Sequence, residues 1–172
     1  MVTESSDFQE FFVDQYERLR RLGYWLTGSW QQAEELAQDA LVTTYRRWPV
    51  VRRLERPGDF ARKVLVNRHR SMLRRMLVER RHAHADRVEP VTAPAATEDA
   101  IVLAAALRRI PARQRLVVVL RYQEDLSEAE VARLLRVPLG TVKTLAHRGL
   151  KRLRRELQPP ASDPAYLQEA AQ

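Results

Sequence analysis

Between positions 141 and 152, Thr141, Lys143, Thr144, His147, Arg148, Lys151 and Arg152 recur at spacings that bring them to the outer side of one helix. Their chemistry is recognition. Hydroxyl and ammonium donors at the start of a helix suit base edges, and cations farther along suit phosphates. The opposite stripe is apolar: Val142, Ala146, Gly149, Leu150, Leu153 and Leu157. A basic amphipathic helix alone is more often just a solvated face, so the elements before it decide the reading. Ser127 followed by Glu130 forms a capping-box pattern, opening a helix that turns Val131, Ala132, Leu134 and Leu135 inward. The turn Arg136-Val137-Pro138-Leu139-Gly140 follows, and the second helix is expected from Thr141. This is a helix-turn-helix, in which one helix braces on the backbone while the next inserts its N-terminal residues into the major groove.

Two further groups stand out. Arg62, Lys63, Asn67, Arg68, Arg70, Arg74 and Arg75 crowd one predicted helix and can hold phosphates. Glu34, Glu35, Gln38 and Asp39 form an acidic island in an otherwise basic chain. Such an island suits a basic protein surface rather than DNA. Its bland alternative is acidic decoration near a helix N-terminus, stabilising by about 0.3 to 1 kcal/mol per residue.

The composition agrees with a polyanionic partner: 30 Lys and Arg against 22 Asp and Glu give a formal net charge of +8. No apolar stretch reaches the roughly 18 to 20 residues needed to span a bilayer, so membrane insertion is not expected. The polar, acidic start from Met1 to Asp7 lacks the pattern of a secretory signal, which points to the cytoplasm. Absence of cysteine excludes disulfides, thiolate metal sites and cysteine nucleophiles together. There is no glycine-rich phosphate loop, no clustered set of metal ligands and no nucleophile with a neighbouring base, so neither an enzyme nor a cofactor is expected. His82 and His84 lie in an Ala-rich stretch without a carboxylate at helical spacing and read as solvated.

Few glycines and abundant Ala, Leu, Arg and Glu indicate an all-α fold. Phe8, Phe11, Phe12, Leu19, Leu22 and Leu26 line one face of a first helix that Gly28 stops. Ser29 and Gln32 start a second, whose apolar side runs through Ala33, Leu36, Ala37, Ala40, Leu41 and Trp48 before Pro49 ends it. After a basic loop from Val50 to Gly58, Asp59 is expected to cap a third helix reaching about Arg80, with Phe60, Val64, Leu65, Met72 and Met76 inward. From His82 to Thr97 periodicity vanishes, the mark of an interdomain linker. Helices around Glu98 to Arg109 and through Leu116 to Leu120 follow, separated by a break at Ile110-Pro111 with Pro111 as a first-turn residue. The expected organisation is therefore two small helical domains, 5–81 and 98–158, a linker at 82–97 and a disordered tail at 159–172 in which Tyr166 and Leu167 form a weak contact.

With both halves in hand, the chain resembles the extracytoplasmic-function class of RNA polymerase sigma factors, of the sigma-70 superfamily, which keep only the second and fourth sigma regions joined by a linker. The carrying residues are Ala33 to Ala40, then Ala106 to Arg115, Leu126 to Ala132 and Gly140 to Thr144. The resemblance implies that Glu34, Glu35, Leu36, Gln38 and Asp39 dock on the β′ clamp helices of core RNA polymerase, whose β subunit is a further partner. It implies that Arg62, Lys63, Asn67, Arg68, Arg70, Arg74 and Arg75 engage the minus-ten element of promoter DNA, with the loop from Val51 to Asp59 helping to form a pocket for an extruded base. The helix-turn-helix residues Thr141, Lys143, Thr144, His147, Arg148, Lys151 and Arg152 would read the minus-thirty-five element. An anti-sigma partner is a family expectation. Arg136 stands at a turn position where the family usually has glycine, so a left-handed backbone there would cost on the order of 1 kcal/mol. Leu145, Gly149 and Ser71 also depart from the usual residues. The competing reading is a homodimeric helix-turn-helix regulator acting without polymerase, which leaves the acidic island and the basic third helix unexplained.

Overall fold

The structure is a computed structural model that describes residues 2–79 and 98–158. The described residues form eight helices and no strand: α1 (Val2–Thr27), α2 (Trp30–Tyr45), α3 (Trp48–Val51), α4 (Pro57–Glu79), α5 (Glu98–Arg108), α6 (Ala112–Tyr122), α7 (Glu128–Leu135) and α8 (Leu139–Leu157). The all-α expectation holds. The expected linker, the tail, His82, His84, Tyr166 and Leu167 lie outside the described residues.

In the first half, α1, α2 and α4 pack around Leu19, Leu22, Leu26, Leu36, Ala37, Leu41, Leu65 and Val66, all buried. Gly28 adopts φ 74°, a left-handed turn that costs glycine little and stops α1 as expected. The Ser29 hydroxyl then accepts the Gln32 N–H at 3.4 Å, opening α2. The aromatic end of this half is built by Phe8, whose ring lies 4.8 Å from that of Tyr45 and 5.2 Å from that of Trp48.

Several boundaries differ from expectation. Helix α2 ends at Tyr45, so Trp48 and Pro49 belong to the separate short helix α3, where Pro49 is tolerated in the first turn because no backbone donor is needed there. Helix α4 begins at Pro57, which places Asp59 inside the first turn, favourable to the helix dipole, rather than at the cap. Pro111 precedes α6 as its N-cap instead of lying within it.

In the second half, α6 is buried along Leu116 to Leu120, with α8 and α7 against it. The Ser127–Glu130 capping box forms in full: the Ser127 Oγ accepts the Glu130 N–H at 3.2 Å, and the Glu130 carboxylate accepts the Ser127 N–H at 2.7 Å. The Ser127 hydroxyl, which donates to the same carboxylate at 2.6 Å, and then the Ser127 N–H hold the Glu130 carboxyl below the usual carboxylate range. At Gly149 α8 lies close against α6. A Cβ added there would lie 2.6 Å from Val118 Cγ2.

The two halves touch. Leu107, Ile110 and the Leu116–Leu120 run belong to one continuous hydrophobic cluster with Leu19, Leu22 and Leu26 of α1. The stem of Arg108 lies directly over Gly28, in the space that a Cβ would need.

Candidate nucleic-acid interface and docking face

Helix α8 carries the first candidate surface. It starts at Leu139, two residues before the expected Thr141, because Pro138 serves as N-cap with a fixed φ of −58° that suits a helix entry. Thr141 thus falls within the first turn. Its side chain and those of Lys143, Thr144, His147, Arg148, Lys151 and Arg152 are placed on the outer face of the helix, where Thr141, Lys143, His147, Arg148, Lys151 and Arg152 are exposed. Val142, Ala146 and Gly149 are buried beneath them, as the apolar stripe requires, whereas Leu157 at the far end is 42% exposed. Thr144 Oγ1 donates to the Gly140 carbonyl at 2.9 Å, which directs part of its hydrogen-bonding capacity back to the helix. The turn before α8 is fixed by Arg136 at φ 56°, ψ 51°, a left-handed conformation. No acidic residue occurs in α8 before Glu156, so this face presents only positive charge over four turns.

Helix α4 carries the second. Lys63, Asn67, Arg68, Arg74 and Arg75 are exposed, while Arg62 and Arg70 are half-buried. Those two turn toward the second half of the chain. Arg62 Nε lies 2.8 Å from Glu124 Oε2, with Asp59 3.1 Å from another of its nitrogens. Arg70 Nη1 donates to the Leu135 carbonyl at 3.0 Å, satisfying a carbonyl that the end of α7 leaves without a helical partner. Asn67, Arg70, Ser71 and Arg74 line a groove against Leu135 and Arg136. Arg68 instead pairs with Asp39 of α2 at 3.7 Å, linking two groups that the sequence treats separately.

The acidic island lies on α2. Glu35 and Asp39 are exposed on one side of the helix, and Val42 and Tyr45, 49% and 56% exposed, extend the same helix as apolar surface. Gln38, which the sequence groups with them, lies beside Asp39. Glu34 is partly withdrawn toward Arg20, which it meets at 3.4 Å. Leu36, which the resemblance groups with the docking residues, is 6% exposed and belongs to the core of the first half, as its place on the apolar side of the helix implies, so it supports the face from beneath.

His69, on the inner side of α4, escapes the sequence reading altogether. It is 1% exposed, and burial pushes its pKa down to about 4, helped by the charge of Arg115 on α6. The Leu26 backbone offsets this only weakly, because neither ring nitrogen makes a well-formed hydrogen bond among the described residues. Arg115 is itself lowered by burial and by Arg108. Nothing in the 3.6-residue period distinguishes such a histidine from its neighbours. Among the described residues no group of His, Asp and Glu could hold a metal ion, and no helix is long and apolar enough to cross a membrane.

Residues 12–77 match the family model for Sigma-70 region 2, and residues 101–153 match that for Sigma-70, region 4. The chain is 31% identical over 168 residues to the RNA polymerase sigma-E factor of Streptomyces avermitilis, covering 96% of this chain and 93% of that one. It is 26% identical to the ECF RNA polymerase sigma factor SigW of Bacillus subtilis, covering 85% and 87% of the two chains. In fold it is similar to the sigma factor RpoE of Bartonella quintana, solved with the anti-sigma factor NepR, at a TM-score of 0.72 and 22% identity over 88% of this chain and 96% of that one. The chain belongs to the extracytoplasmic-function (ECF) RNA polymerase sigma factors.

Proposed function

We propose that the chain binds core RNA polymerase and directs promoter recognition and transcription initiation, without catalysing a reaction itself. The observation that carries this reading is the separation of charge between two helices of one chain: an exposed acidic and apolar face on α2, and an all-basic recognition face on α8. On this reading Glu35, Gln38 and Asp39 dock on the β′ clamp helices, with Glu34 flanking them, and Leu36 holds the helix in place. Lys63, Asn67, Arg68, Arg74 and Arg75, with Arg62 and Arg70, engage the melting minus-ten element. Extruding one base there costs a few kcal/mol, which the basic surface and the polymerase supply together. Thr141, Lys143 and Thr144 read the minus-thirty-five element, while His147, Arg148, Lys151 and Arg152 hold its phosphates. The protein works in the cytoplasm as two domains, 5–81 and 98–158, with an anti-sigma factor as a further partner, by analogy with the Bartonella relative solved in complex with one.

Run-off transcription with purified core enzyme tests this directly. The chain should start RNA synthesis at a defined site that core alone ignores. Reversing charge at Glu35 and Asp39 should abolish retention of core enzyme in a pull-down while the helical circular dichroism stays unchanged. Retention at the wild-type level would refute the docking assignment.

A further inference from the structure

From Val142 to Leu153 the apolar residues of α8 turn inward: Val142 and Ala146 are buried, and Leu145, Leu150 and Leu153 pack against the core from partly buried positions. Leu139, the first residue of the helix, does not. It is 43% exposed and takes no place in that core. The turn before it fixes where it stands: Arg136 is left-handed, Val137 packs against the core, and Pro138 enters the helix at φ −58°. Side chains lean toward a helix's N-terminus, so Leu139 projects past the start of α8. It heads a row that continues four and eight residues on through Lys143 and His147, both exposed. Beside it Gly140 has nothing within 4 Å of where a Cβ would stand, so this end of the helix is open to close approach by another molecule.

That end is the one a helix-turn-helix inserts among base edges. An isobutyl group neither donates nor accepts a hydrogen bond. In the major groove only thymine offers it an apolar partner, the 5-methyl group. Against the other bases it would cover an amino group or an acceptor without replacing the hydrogen bond that water made there. We propose that Leu139 is a specificity-determining residue, selecting a thymine in the upstream promoter element by packing on its 5-methyl group. The inference rests on the function proposed above and adds to it a base preference at one position. Thr141, Lys143 and Thr144 meet hydrogen-bonding edges, while Leu139 meets the one methyl group. Its contact uses no charge, so the preference for thymine is independent of salt, whereas the phosphate contacts of α8 weaken as salt rises.

The test uses holoenzyme assembled from core enzyme and the full-length chain, which first selects its upstream element from a promoter library randomised there. Failure to enrich any sequence would overturn the proposed function and this inference together. In the enriched promoter each thymine of either strand is then replaced singly by uracil, which removes the 5-methyl group and leaves every hydrogen-bonding group in place. At one thymine the wild-type holoenzyme should bind the uracil promoter about fourfold more weakly, at low and high salt alike, the factor for burying one methyl group. Leu139→Ala should bind the thymine promoter more weakly and no longer distinguish it from uracil at that position. Its melting temperature should match the wild type, because the side chain is exposed. Leu139→Gln, whose amide both donates to and accepts from an adenine edge, should shift the enriched base there from thymine toward adenine. A Leu139→Ala holoenzyme that separates thymine from uracil as well as the wild type does would overturn the assignment, as would an enriched element in which no thymine responds to loss of its methyl group. In either case the chain still directs initiation, and only the role of Leu139 is lost.

Discussion

The buried His69 makes stability depend on pH in a direction and by an amount that can be worked out. In the folded chain its pKa is about 4, while an exposed histidine titrates near 6.5. Between these values the unfolded chain binds a proton that the folded chain excludes, so stability falls as pH drops. Above about pH 7.5 both states are neutral and nothing is lost. Linkage across the gap of about 2.5 units gives a loss of about 2 kcal/mol at pH 5 and about 3 kcal/mol at pH 4. Among the described residues the charged group acting on it is Arg115, which opposes protonation. Urea unfolding followed by circular dichroism from pH 8 to pH 4 measures the loss. Carboxylates contribute in the same range, Glu130 among them, so the informative quantity is the difference between wild type and His69→Leu. The variant should lose about 3 kcal/mol less than wild type on going to pH 4. Parallel stability curves for the two proteins would show that the His69 ring is not excluded from water and would refute the linkage.

Other perturbations test the second half. Ser127→Ala removes the cap of α7 and should lower stability by about 1 kcal/mol in thermal melts, with Glu130→Gln milder because its side chain still reaches the Ser127 N–H. Gly149→Val forces a side chain against the β-branched, buried Val118 and should cost about 1 to 3 kcal/mol, seen as a lower urea midpoint. Replacing Lys143 and Arg148 together by glutamine should reduce the slope of log binding constant against log salt by about 1.8 if each neutralises one phosphate of duplex promoter DNA. An unchanged slope would remove both from the interface.

Much of this architecture is legible in the sequence wherever local chemistry decides it. The capping box at Ser127 and Glu130 and the stop at Gly28 each depend on residues a few positions apart, and both appear in the structure, whereas only the resemblance draws attention to the backbone at Arg136. The Val142–Ala146–Gly149 stripe follows from helical period alone. The start of α8 is harder to place because Pro138 enters a helix without any side-chain acceptor to betray it. Trp48 reads as part of α2 because its spacing continues that apolar face, although the chain breaks at Arg46 and Arg47 before reaching it. The pairing of Arg62 with Glu124 and the burial of His69 are tertiary events between segments far apart in sequence. No period or motif encodes them, which is also why Arg62 and Arg70 read simply as free surface cations.

The hydrophobic cluster that runs unbroken from α1 into α6 has a calorimetric consequence. Modules sharing no interface melt independently, each with the small enthalpy of its own size. Here the loss of α6 would strip the cover from Leu22 and Leu26, so heat should take both halves apart in one endotherm, and severing the chain between them should leave two fragments each less heat-resistant than the whole.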